Sequence, residues 1–590
     1  MNTFPLIKTK LSNERLMSAL LLVLLLYNLP RFLKAPGDIL TLLLLLVVGL
    51  FLDAGAHYML FKRPVCAVSA AVTALILFTL SPGAPFWAEC AALAAALIIG
   101  KAIWGGTGKN PLNPAMVGLA LLFILTPLKS PAFEPSWYLL PAVLLSLPFL
   151  FIRPLAGLGI IAGMLSALLI GRILTVEAVL AAGVFFWGCL VMTDPVTTTA
   201  KPAVGLIIGF LAGILAGLAG QPAAMPIGIL VSNLLSHLTD WLDIGGTVKL
   251  RKKFSGRQKI IISTELPYID LTGEDDPAPS AGLPSSSEIL RRIEISGVFG
   301  MGGAAFPAAE KIKAVMESKS RDKHLIVNAV ECDPGLLHDK WLLINRGDEI
   351  MRGIEILASC IPFKTVTVAA KNPVGFHLPE TVKLHQVRDY YPAGAEKLLV
   401  REVVGDAPAE CVPAEAGILV LNVQTVYTIS KAVLWHRAAD RRFITVADLD
   451  RRIGRAVRVR LGDGVYETAR KILPVAVNVY TGGGIMNACL ADDGAVIGEK
   501  TNFLAVGRIT AFREALCSQC NFCSAYCPVT LHVREIAHYI DDNKQDKAAL
   551  LHPENCLECG LCSAICPAGR DQARRVKTAK KHIANANTIC

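Results

Sequence analysis

A long apolar region restricts the fold of this chain more than any other feature. Of the 590 residues, 53% are hydrophobic, and the excess lies between residues 16 and 240. Because a membrane-spanning helix needs roughly 20 apolar residues, this region predicts a polytopic α-helical membrane domain with about ten spans. The apolar segments follow one another, which distinguishes them from a signal peptide. The expected spans are 16–33, 38–61, 65–81, 86–103, 112–128, 136–152, 155–172, 176–193, 203–219 and 222–240.

The basic residues around these segments predict an orientation. With a cytoplasmic N-terminus, thirteen Lys and Arg residues flank the spans on the cytoplasmic side and four lie in the outer loops. This positive-inside bias and the even number of spans place the C-terminal half in the cytoplasm, a reducing compartment. The expected location is therefore the cytoplasmic (inner) membrane. Much of the net charge of +10 comes from these flanks, so no nucleic-acid partner is expected.

Eight cysteines near the C-terminus carry the clearest chemical signal. Two runs share the spacing Cys-x-x-Cys-x-x-Cys-x-x-x-Cys-Pro, and in two-cluster ferredoxins the fourth cysteine of each run binds the other [4Fe–4S] cluster. Zinc is the alternative, but zinc sites built from two Cys-x-x-Cys pairs need four ligands in total, whereas each run here offers four. Disulfides between such close neighbours are disfavoured by geometry. The expected ligand sets are Cys517, Cys520, Cys523 and Cys566 for one cluster, and Cys556, Cys559, Cys562 and Cys527 for the other.

The rest of the C-terminal half is typical of alternating strands and helices. Strands are expected at 258–264, 324–330 and 365–370, and helices at 287–293, 308–317 and 347–359. This alternation predicts an α/β layer with a mostly parallel sheet. A β-rich segment is expected at 455–480. The amphipathic stretch 533–550, between the two cysteine runs, favours a helical ferredoxin module.

Two blocks of the α/β region are candidates for cofactor binding. The first is a glycine-rich turn at 300–303, where backbone N–H groups can approach a phosphate, although such turns are more often structural. The second is the block 328–333 at the end of a predicted strand, and α/β proteins bind ligands at the carboxyl ends of their strands. The other interpretation of this second block is an ordinary capped turn.

These blocks resemble the C subunit of the Rnf complex, a relative of the NADH-binding subunit of respiratory complex I. The resemblance covers roughly residues 285–570 and includes the cysteine runs, while the N-terminal barrel-sandwich region of that family is missing. It rests on Gly300–Pro307, Asn328–Pro334, Tyr391–Lys397, Asn422–Thr425 and Gly482–Met486. It implies that the glycine loop and the Asn/acid block hold FMN and NADH. The implied candidates are Gly300, Gly302, Gly303, Phe306, Lys311, Asn328, Glu331 and Asp333.

The apolar half resembles the D subunit of the same complex, which is related to a membrane subunit of the sodium-pumping NADH:quinone reductase. The resemblance rests on Gly105–Val117 and Thr193–Thr197, with a looser match at Gln221–Gly228 and Asn233. That family esterifies FMN to the threonine of a Ser-Gly-Ala-Thr-like motif, which is not found between residues 116 and 155. Covalent flavin is therefore not expected, whereas a non-covalent flavin in the membrane domain stays open.

Ionisable residues outside these motifs receive simpler interpretations. Asp53 and His57 lie four residues apart, so they share one face of an apolar helix. They are expected near its cytoplasmic end, where snorkelling to water suffices, and an ion path is the other interpretation. The basic run within 574–581 predicts a solvated tail or a contact with the membrane surface.

These patterns together predict a multi-domain chain. A membrane domain is expected at 1–248 and a linker with a first strand at 249–284. An FMN/NADH-binding α/β domain follows at 285–450, then a small β-rich, SLBB-like domain at 451–510. A helical ferredoxin domain with two [4Fe–4S] clusters is expected at 511–570 and a basic tail at 571–590.

The resemblances imply a membrane-bound oxidoreductase that fuses D-like and C-like subunits. It would pass electrons between NAD(H), FMN and the clusters within an ion-translocating ferredoxin:NAD⁺ oxidoreductase, with no side chain acting as an acid–base catalyst. The implied partners are ferredoxin, NAD(H), the lipid bilayer and further membrane and flavin/iron–sulfur subunits. Two alternatives stay open: a component of an NADH:quinone oxidoreductase, and a non-catalytic membrane scaffold that relays electrons.

Overall fold

The computed structural model describes residues 13–61, 67–104, 110–126, 139–199, 201–221, 223–242, 268–273, 279–280, 282–371, 378–405, 413–473, 478–508, 514–515 and 517–589. The strand expected at 258–264 and the motif residues 105–109 lie outside this range. The chain divides into two compact units. The peripheral unit comprises Met1–Lys8, Lys249–Phe512 and Asn555–Ala564, and the membrane unit comprises Thr9–Val248, Arg513–Glu554 and Ile565–Cys590.

The membrane unit is built from apolar helices. They are α1 (Asn13–Lys34), α2 (Gly37–Phe61), α3 (Ala67–Leu80), α4 (Phe86–Ile98), α5 (Pro114–Leu125), α6 (Leu139–Ser146), α7 (Pro154–Ile170), α8 (Val176–Ala181), α9 (Val184–Phe186), α10 (Pro202–Ala219) and α11 (Ala224–Leu242). Short 3₁₀ helices cover Ala102–Trp104 and Leu147–Ile152, and a π-helical turn covers Trp187–Val191. Each expected span coincides with helical structure. Within the described residues, four helices are long and apolar enough to cross a membrane, so ten crossings stay a prediction.

Helices α7 and α10 approach each other closely because glycines line their contact. A Cβ atom on Gly163 would lie 2.2 Å from the carbonyl oxygen of Phe210. Likewise, a Cβ atom on Gly213 of α10 would lie 2.4 Å from the carbonyl oxygen of Ile160 of α7. Small residues at helix contacts allow backbones to pack tightly where lipid gives no hydrophobic driving force. The spacing of glycines along these two helices therefore determines how they pair.

The peripheral unit contains two sheets with helices packed around them. Its strands are β1 (Ile269–Asp270), β2 (His324–Ala329), β3 (Thr365–Ala370), β4 (Lys383–Gln386), β5 (Ile418–Asn422), β6 (Arg441–Asp448), β7 (Ile453–Arg460), β8 (Val479–Gly482), β9 (Cys489–Leu490) and β10 (Phe503–Val506). Its helices are α12 (Ser286–Ile295), α13 (Ala308–Glu317), α14 (His338–Asn345), α15 (Gly347–Cys360), α16 (Glu396–Val403), α17 (Val423–Leu434) and α18 (Val465–Ile472).

The first sheet confirms the expected parallel α/β layer. Its strand order is β4-β3-β2-β5, and all three pairings are parallel. Leu325, Ile326 and Val327 in β2 are fully buried, as expected for a parallel strand that is covered on both faces. The second sheet has the mixed order β1-β7-β6-β10-β8-β9. Helix α18 lies within the stretch 455–480, which was expected to be β-rich. This segment is helical because Val465, Ala469 and Ile472 recur at helical spacing and are buried.

Short helices surround the cysteine runs, as the helical ferredoxin prediction requires. They are α19 (Phe522–Ala525), α20 (Val533–Asp541), α21 (Gln545–Ala549), α22 (Leu561–Ala564) and α23 (Gln572–Ile589). The basic tail forms helix α23, in which Val576 and Ala579 are buried, whereas the basic residues Arg574, Lys577 and Lys581 are exposed. Arg575 pairs with Glu514 and Asp541, which joins the helix to the ferredoxin segment of the membrane unit.

Candidate functional site

The glycine-rich turn packs at the carboxyl edge of the parallel sheet. The backbone N–H of Met301 donates to the Thr425 hydroxyl over 2.9 Å. A Cβ atom on Gly302 would lie 3.4 Å from the Cβ atom of Asn422, the last residue of β5. Gly303 has a φ of +115°, a conformation that favours glycine. The turn is therefore held at the end of β5, the strand next to β2.

Asn328 connects the end of β2 to the loop that precedes α16. Its side-chain amide donates to the carbonyl oxygen of Gly394 over 2.9 Å and accepts from the N–H of Val330 over 3.1 Å. A Cβ atom on Gly394 would lie 3.2 Å from the sulfur of Cys332. The predicted motif around Tyr391–Lys397 thus packs directly on the Asn/acid block, and Asn328 holds the two together.

Three carboxylates follow β2 and accept hydrogen bonds from within the protein. Glu331, which has a φ of +44°, accepts from the N–H of Asp339 over 2.8 Å. Asp339 in turn accepts from the side-chain amide of Asn422 over 2.7 Å. Asp333 accepts from the N–H groups of Ile485 and Met486, over 3.0 and 3.1 Å. Both oxygens of Asp333 therefore organise the loop at 482–486, which indicates a structural role for this predicted site residue.

The carboxyl groups of these residues are desolvated, although parts of their side chains reach the surface. Burial raises the pKa of Asp333 to about 6. Burial and the neighbouring Asp339 carboxylate raise the pKa of Glu331, and burial raises that of Asp339. The pKa of His338 is lowered to about 3 by burial and by the charge of Arg442, so its imidazole is neutral near neutral pH. This edge of the sheet thus concentrates perturbed titratable groups, which is common at functional sites.

A cavity of about 700 Å³ opens at the same edge, beside the ends of β2, β3 and β4. Its size suits a small-molecule ligand. Glu331 lines it together with the basic residues Lys340, Lys371 and Arg388. Sequence reasoning did not find these three basic residues. They are far apart in sequence, and only the strand order brings them to one cavity.

The remaining predicted residues lie on the glycine turn and on α13. The N–H of Gly300 donates to the carbonyl oxygen of Phe306 over 2.7 Å, which closes the turn. The Phe306 ring is about half exposed. Lys311 pairs with both carboxylate oxygens of Glu396 at 2.9 Å, so this lysine joins α13 to α16. These contacts position the turn, and the roles of Gly300, Phe306 and Lys311 in holding a cofactor stay predictions.

The first predicted cysteine set gathers within the membrane unit. Cys520, Cys523 and Cys566 are buried, and Cys517 is partly exposed. Burial and the closeness of the other three thiols of the set hold the pKa of the Cys523 thiol well above its ordinary range. Within the described residues, no group of three or more His, Cys, Asp or Glu side chains forms a single-ion metal site. The mutual closeness of four thiols, from both cysteine runs, fits the ligand set expected for one [4Fe–4S] cluster.

The two cysteine runs fold alike at their first turn. The N–H of Gln519 donates to the sulfur of Cys517, and the N–H of Glu558 donates to the sulfur of Cys556, both over 3.4 Å. Gln519 and Glu558 also share a left-handed backbone, with φ values of +48° and +54°. The equivalent turns support equivalent chemistry for the two runs. Cys527, the fourth ligand expected for the second cluster, belongs to the membrane unit.

The second cysteine run contacts loops at the carboxyl edge of the parallel sheet, inside the peripheral unit. The Tyr391 hydroxyl donates to the carbonyl oxygen of Cys559. A Cβ atom on Gly560 would lie 2.9 Å from the carbonyl oxygen of Met486, in the loop that Asp333 organises. The sheet edge and the second cysteine run are thus joined by two loops.

The motifs of the apolar half also meet in space. Asn233 accepts from the N–H of Asn113 over 3.0 Å and donates to the carbonyl oxygen of Thr197 over 3.2 Å. The Thr197 hydroxyl donates to Asp194 over 2.9 Å, and Asp194 also accepts from the N–H of Val196. Segments that are more than one hundred residues apart therefore form one polar network, in which Asp194 shapes the turn at the end of its span.

Asp53 differs from its prediction. It is buried and pairs with Lys101, with both carboxylate oxygens 2.9 Å from the lysine Nζ atom. Each side chain is only 1% exposed. The expectation of snorkelling is therefore wrong for Asp53, because a buried cation next to α4 neutralises it. The side chain of His57 lies outside the described part of the chain.

Known proteins match this chain in separate segments. The NQR2, RnfD, RnfE family model matches residues 1–139, the Nuo51 FMN-binding domain matches 293–431, and a 4Fe-4S dicluster domain matches 516–570. The C subunit of the ion-translocating oxidoreductase complex of Buchnera aphidicola subsp. Acyrthosiphon pisum is 29% identical over 299 residues, which cover 48% of this chain and 62% of the relative. The corresponding C subunit of Rhodobacter capsulatus is 30% identical over 261 residues, or 41% of this chain and 50% of the relative.

A third relative and a solved structure are less similar. The C subunit of the ion-translocating oxidoreductase complex of Haemophilus influenzae (strain 86-028NP) is 27% identical over 335 residues, which cover 52% of this chain and 49% of the relative. An NAD⁺-reducing [NiFe]-hydrogenase in the H₂-reduced state aligns with 51% of this chain and 62% of that chain, at a TM-score of 0.35 and 16% identity. That likeness is too low to bear on function. The chain spans about half the length of the curated relatives that it matches.

The chain fuses a D-like segment to a C-like segment. The resemblance expected from the glycine, Asn/acid and cysteine motifs is thereby confirmed. The matches also confirm an FMN-binding domain and a 4Fe-4S domain in the C-like segment. The domain boundaries and the individual site residues stay predictions.

Proposed function

We propose that this D-like/C-like protein is a membrane-bound electron-transfer subunit of an ion-translocating ferredoxin:NAD⁺ oxidoreductase of the Rnf type. In this proposal it passes electrons between NAD(H), FMN and two [4Fe–4S] clusters. The support comes from a fused pair of segments whose relatives are subunits of ion-translocating oxidoreductase complexes. Ferredoxin, the lipid bilayer and further membrane and flavin/iron–sulfur subunits are the proposed partners.

The observation that carries the proposal is the direct connection between the sheet edge and the second cysteine run. The loop that Asn328 holds at the sheet edge also carries Tyr391, whose hydroxyl binds the backbone of Cys559. The loop that Asp333 binds is packed against Gly560. Both loops therefore span the short path between a cofactor at the sheet edge and a cluster on the second run.

The cavity at the sheet edge fits an anionic flavin cofactor. Lys340, Lys371 and Arg388 line it and can bind a phosphate group, although Lys371 is also paired with Asp389 of the same cavity. The Glu331 carboxyl group faces the same cavity and, with its raised pKa, can donate a hydrogen bond when protonated. When bound, flavin can accept the two electrons of a hydride and release them one at a time. The side chains bind and orient the cofactor, and none of them needs to act as an acid or base.

The membrane half completes the proposal. About ten spans with the C-terminal half in the cytoplasm would place the protein in the inner membrane, as the positive-inside bias predicts. A non-covalent flavin in this half stays open. Ion translocation would then depend on the further membrane subunits.

Cofactor analysis of the anaerobically purified full chain tests the cofactor part of the proposal. We expect about eight irons, matching acid-labile sulfide and FMN that is released on denaturation. Paramagnetic signals should appear when the protein is reduced with NADH. Bound zinc, or the absence of a paramagnetic signal after reduction, would contradict the proposal. Flavin that stays attached after denaturation would show that the membrane half carries it covalently.

A matched pair of glycine substitutions tests the nucleotide site. Gly302→Val pushes a branched side chain towards Asn422, so NADH oxidation by the purified protein should fall at least tenfold. Gly498→Val places the same side chain in open space and should leave the rate unchanged. Equal rates in both variants would show that the glycine turn is not part of the nucleotide site. They would favour a scaffold that only relays electrons.

The electron acceptor separates the proposed activity from its main alternative. With NADH as the donor, the reassembled complex should reduce ferredoxin only when an ion gradient is supplied, and it should reduce NAD⁺ from reduced ferredoxin without one. Rapid gradient-independent reduction of quinone by the isolated chain would instead favour an NADH:quinone oxidoreductase component.

A further inference from the structure

Arg153 joins the membrane helices to the first cysteine run within the membrane unit. It lies between the 3₁₀ helix Leu147–Ile152 and α7, and it is 8% exposed. Its guanidinium Nη2 atom donates to the carbonyl oxygen of Cys520 over 2.5 Å and to that of Pro195 over 3.2 Å. The same group lies 5.0 Å above the centre of the Phe522 ring. One arginine thus binds the cysteine segment by hydrogen bonds and by a cation–π contact.

The turn that supplies Pro195 belongs to the D-like motif Thr193–Thr197. Asp194 shapes this turn through Val196 and Thr197, and its carboxylate interacts electrostatically with Arg153. Asp194 therefore orients the carbonyl group of Pro195, which accepts from the same arginine as the carbonyl group of Cys520. The Thr193–Thr197 motif therefore contributes, through Pro195, to the surface that binds the first cysteine run.

The charge of Arg153 is permanent, because a guanidinium group does not lose its proton in proteins. A second arginine near this run, Arg534, donates to the carbonyl oxygen of Gln519 and is paired with Glu535. Because Arg153 is hydrogen-bonded to the backbone of Cys520, its charge lies next to an expected cluster ligand. Charge and hydrogen bonding close to cluster ligands help to set the reduction potential of a cluster.

We propose that Arg153 is a positioning residue that fastens the first cysteine set to the membrane half and raises the reduction potential of the cluster bound there. The inference rests on the proposed function, because it requires a cluster on Cys517, Cys520, Cys523 and Cys566. A positive charge stabilises the more negative, reduced form of a cluster, and burial reduces screening by solvent. The turn formed by the Thr193–Thr197 motif assists, because the carbonyl oxygen of Pro195 accepts from the same Nη2 atom.

Redox titration of the full chain, followed by electron paramagnetic resonance, tests the electrostatic part. In Arg153→Gln, one of the two cluster potentials should become more negative by at least the 59 mV that corresponds to a tenfold change in a one-electron equilibrium. The other potential should stay constant. Arg153→Lys keeps the charge and should shift the same potential much less. Arg31→Gln is the matched control, because Arg31 also donates to a backbone carbonyl and lies over a phenylalanine ring, in a different part of the membrane unit.

Hydrogen exchange tests the positioning part independently of the potentials. Amides at 519–522 should exchange faster in both Arg153 variants than in the wild type and the control, because neither glutamine nor lysine has the planar guanidinium group that binds both carbonyl groups while it lies over the Phe522 ring. Loss of about four irons from Arg153→Gln, with the second cluster retained, would also support the positioning role.

Unchanged potentials and unchanged exchange, with the full iron content, would refute the inference. Equal shifts of both potentials would also refute it, because the effect would not be local to the first set. If Arg153→Gln does not fold, Arg153→Lys decides, and normal exchange at 519–522 in that variant overturns the positioning role. A wild-type protein without paramagnetic clusters would instead refute the proposed function, so the two failures are distinguishable.

Discussion

Asp53 and Lys101 show how one residue pair can shape an apolar bundle. Both side chains are almost fully buried, and the lysine Nζ atom lies 2.9 Å from each carboxylate oxygen. An isolated charge in such surroundings is costly, whereas the pair is compensated. Since the residues are far apart in sequence, the pair fixes the end of α4 against α2.

Removing one member of this pair should strongly destabilise the protein. We expect Asp53→Asn to lower the free energy of unfolding by about 3–5 kcal/mol, because Lys101 stays buried without a countercharge. Thermal unfolding of the detergent-solubilised protein measures the effect. The double variant Asp53→Asn/Lys101→Met should recover most of the loss. A single variant as stable as the wild type would mean that Lys101 reaches water or another anion.

Glu331 gives the peripheral unit a dependence on pH. Burial and Asp339 raise the pKa of its carboxyl group in the folded state, so the folded protein holds a proton that the unfolded chain releases. Stability should therefore fall as the pH rises from the ordinary glutamate pKa through the raised value. In the cofactor-free protein, Glu331→Gln should flatten this decline between about pH 5 and 8.

Unfolding midpoints measured across that pH range check the expectation. The control is Glu355→Gln, which changes an exposed glutamate on α15 and should leave the pH profile unchanged. Parallel profiles for the wild type and Glu331→Gln would show that this carboxyl group does not titrate in the expected range.

At the scale of elements, the contact between α7 and α10 depends on the absence of side chains. Gly159 and Gly163 of α7 meet backbone carbonyl groups of α10, and Gly209 and Gly213 of α10 meet those of α7. The distances from each hypothetical Cβ atom to these oxygens are between 2.2 and 2.5 Å, shorter than any unstrained contact. A single methyl group must therefore push the two helices apart.

Gly163→Ala should destabilise the membrane unit by about 1–3 kcal/mol, the usual range for an overpacked contact. The matched control is Gly228→Ala on α11, where the nearest atom would lie at an ordinary 3.6 Å. Unfolding in detergent compares the two variants. If both alanines had the same small effect, α7 and α10 would have to be able to separate without loss of packing.

At the scale of the whole molecule, the orientation follows from the distribution of charge. The C-terminal half should face the cytoplasm, since basic residues flank the cytoplasmic ends of the expected spans. Cys489 is exposed and is not an expected cluster ligand, so a membrane-impermeant thiol reagent can report its side of the membrane. We expect labelling in inside-out vesicles and none in sealed right-side-out vesicles.

Two variants control the labelling experiment. Cys489→Ser should lower the signal of inside-out vesicles. Arg172→Cys, in a predicted outer loop, should add a signal in right-side-out vesicles when it is made in the Cys489→Ser background. The reverse pattern would place the C-terminal half outside the cytoplasm and would contradict the predicted location.

Features that depend on a local pattern could be predicted from the amino-acid sequence. The apolar segments, the strands β2 and β3, the helices α13 and α15 and the cysteine spacing are each encoded within a short stretch, so periodicity and spacing revealed them. The helix α18 was missed because its short apolar repeat lies between two strands. The C-terminal helix was missed because the residues that bury Val576 and pair with Arg575 are distant in sequence.

Contacts between residues that are distant in sequence became known from the three-dimensional structure alone. It assigned Asp333 to the backbone of the 482–486 loop, brought Lys340, Lys371 and Arg388 to one cavity, and paired Asp53 with Lys101. It also placed Arg153 against Cys520. Such contacts depend on strand order and helix packing, which bring together residues separated by tens to hundreds of positions, and no local pattern records which of them will be neighbours.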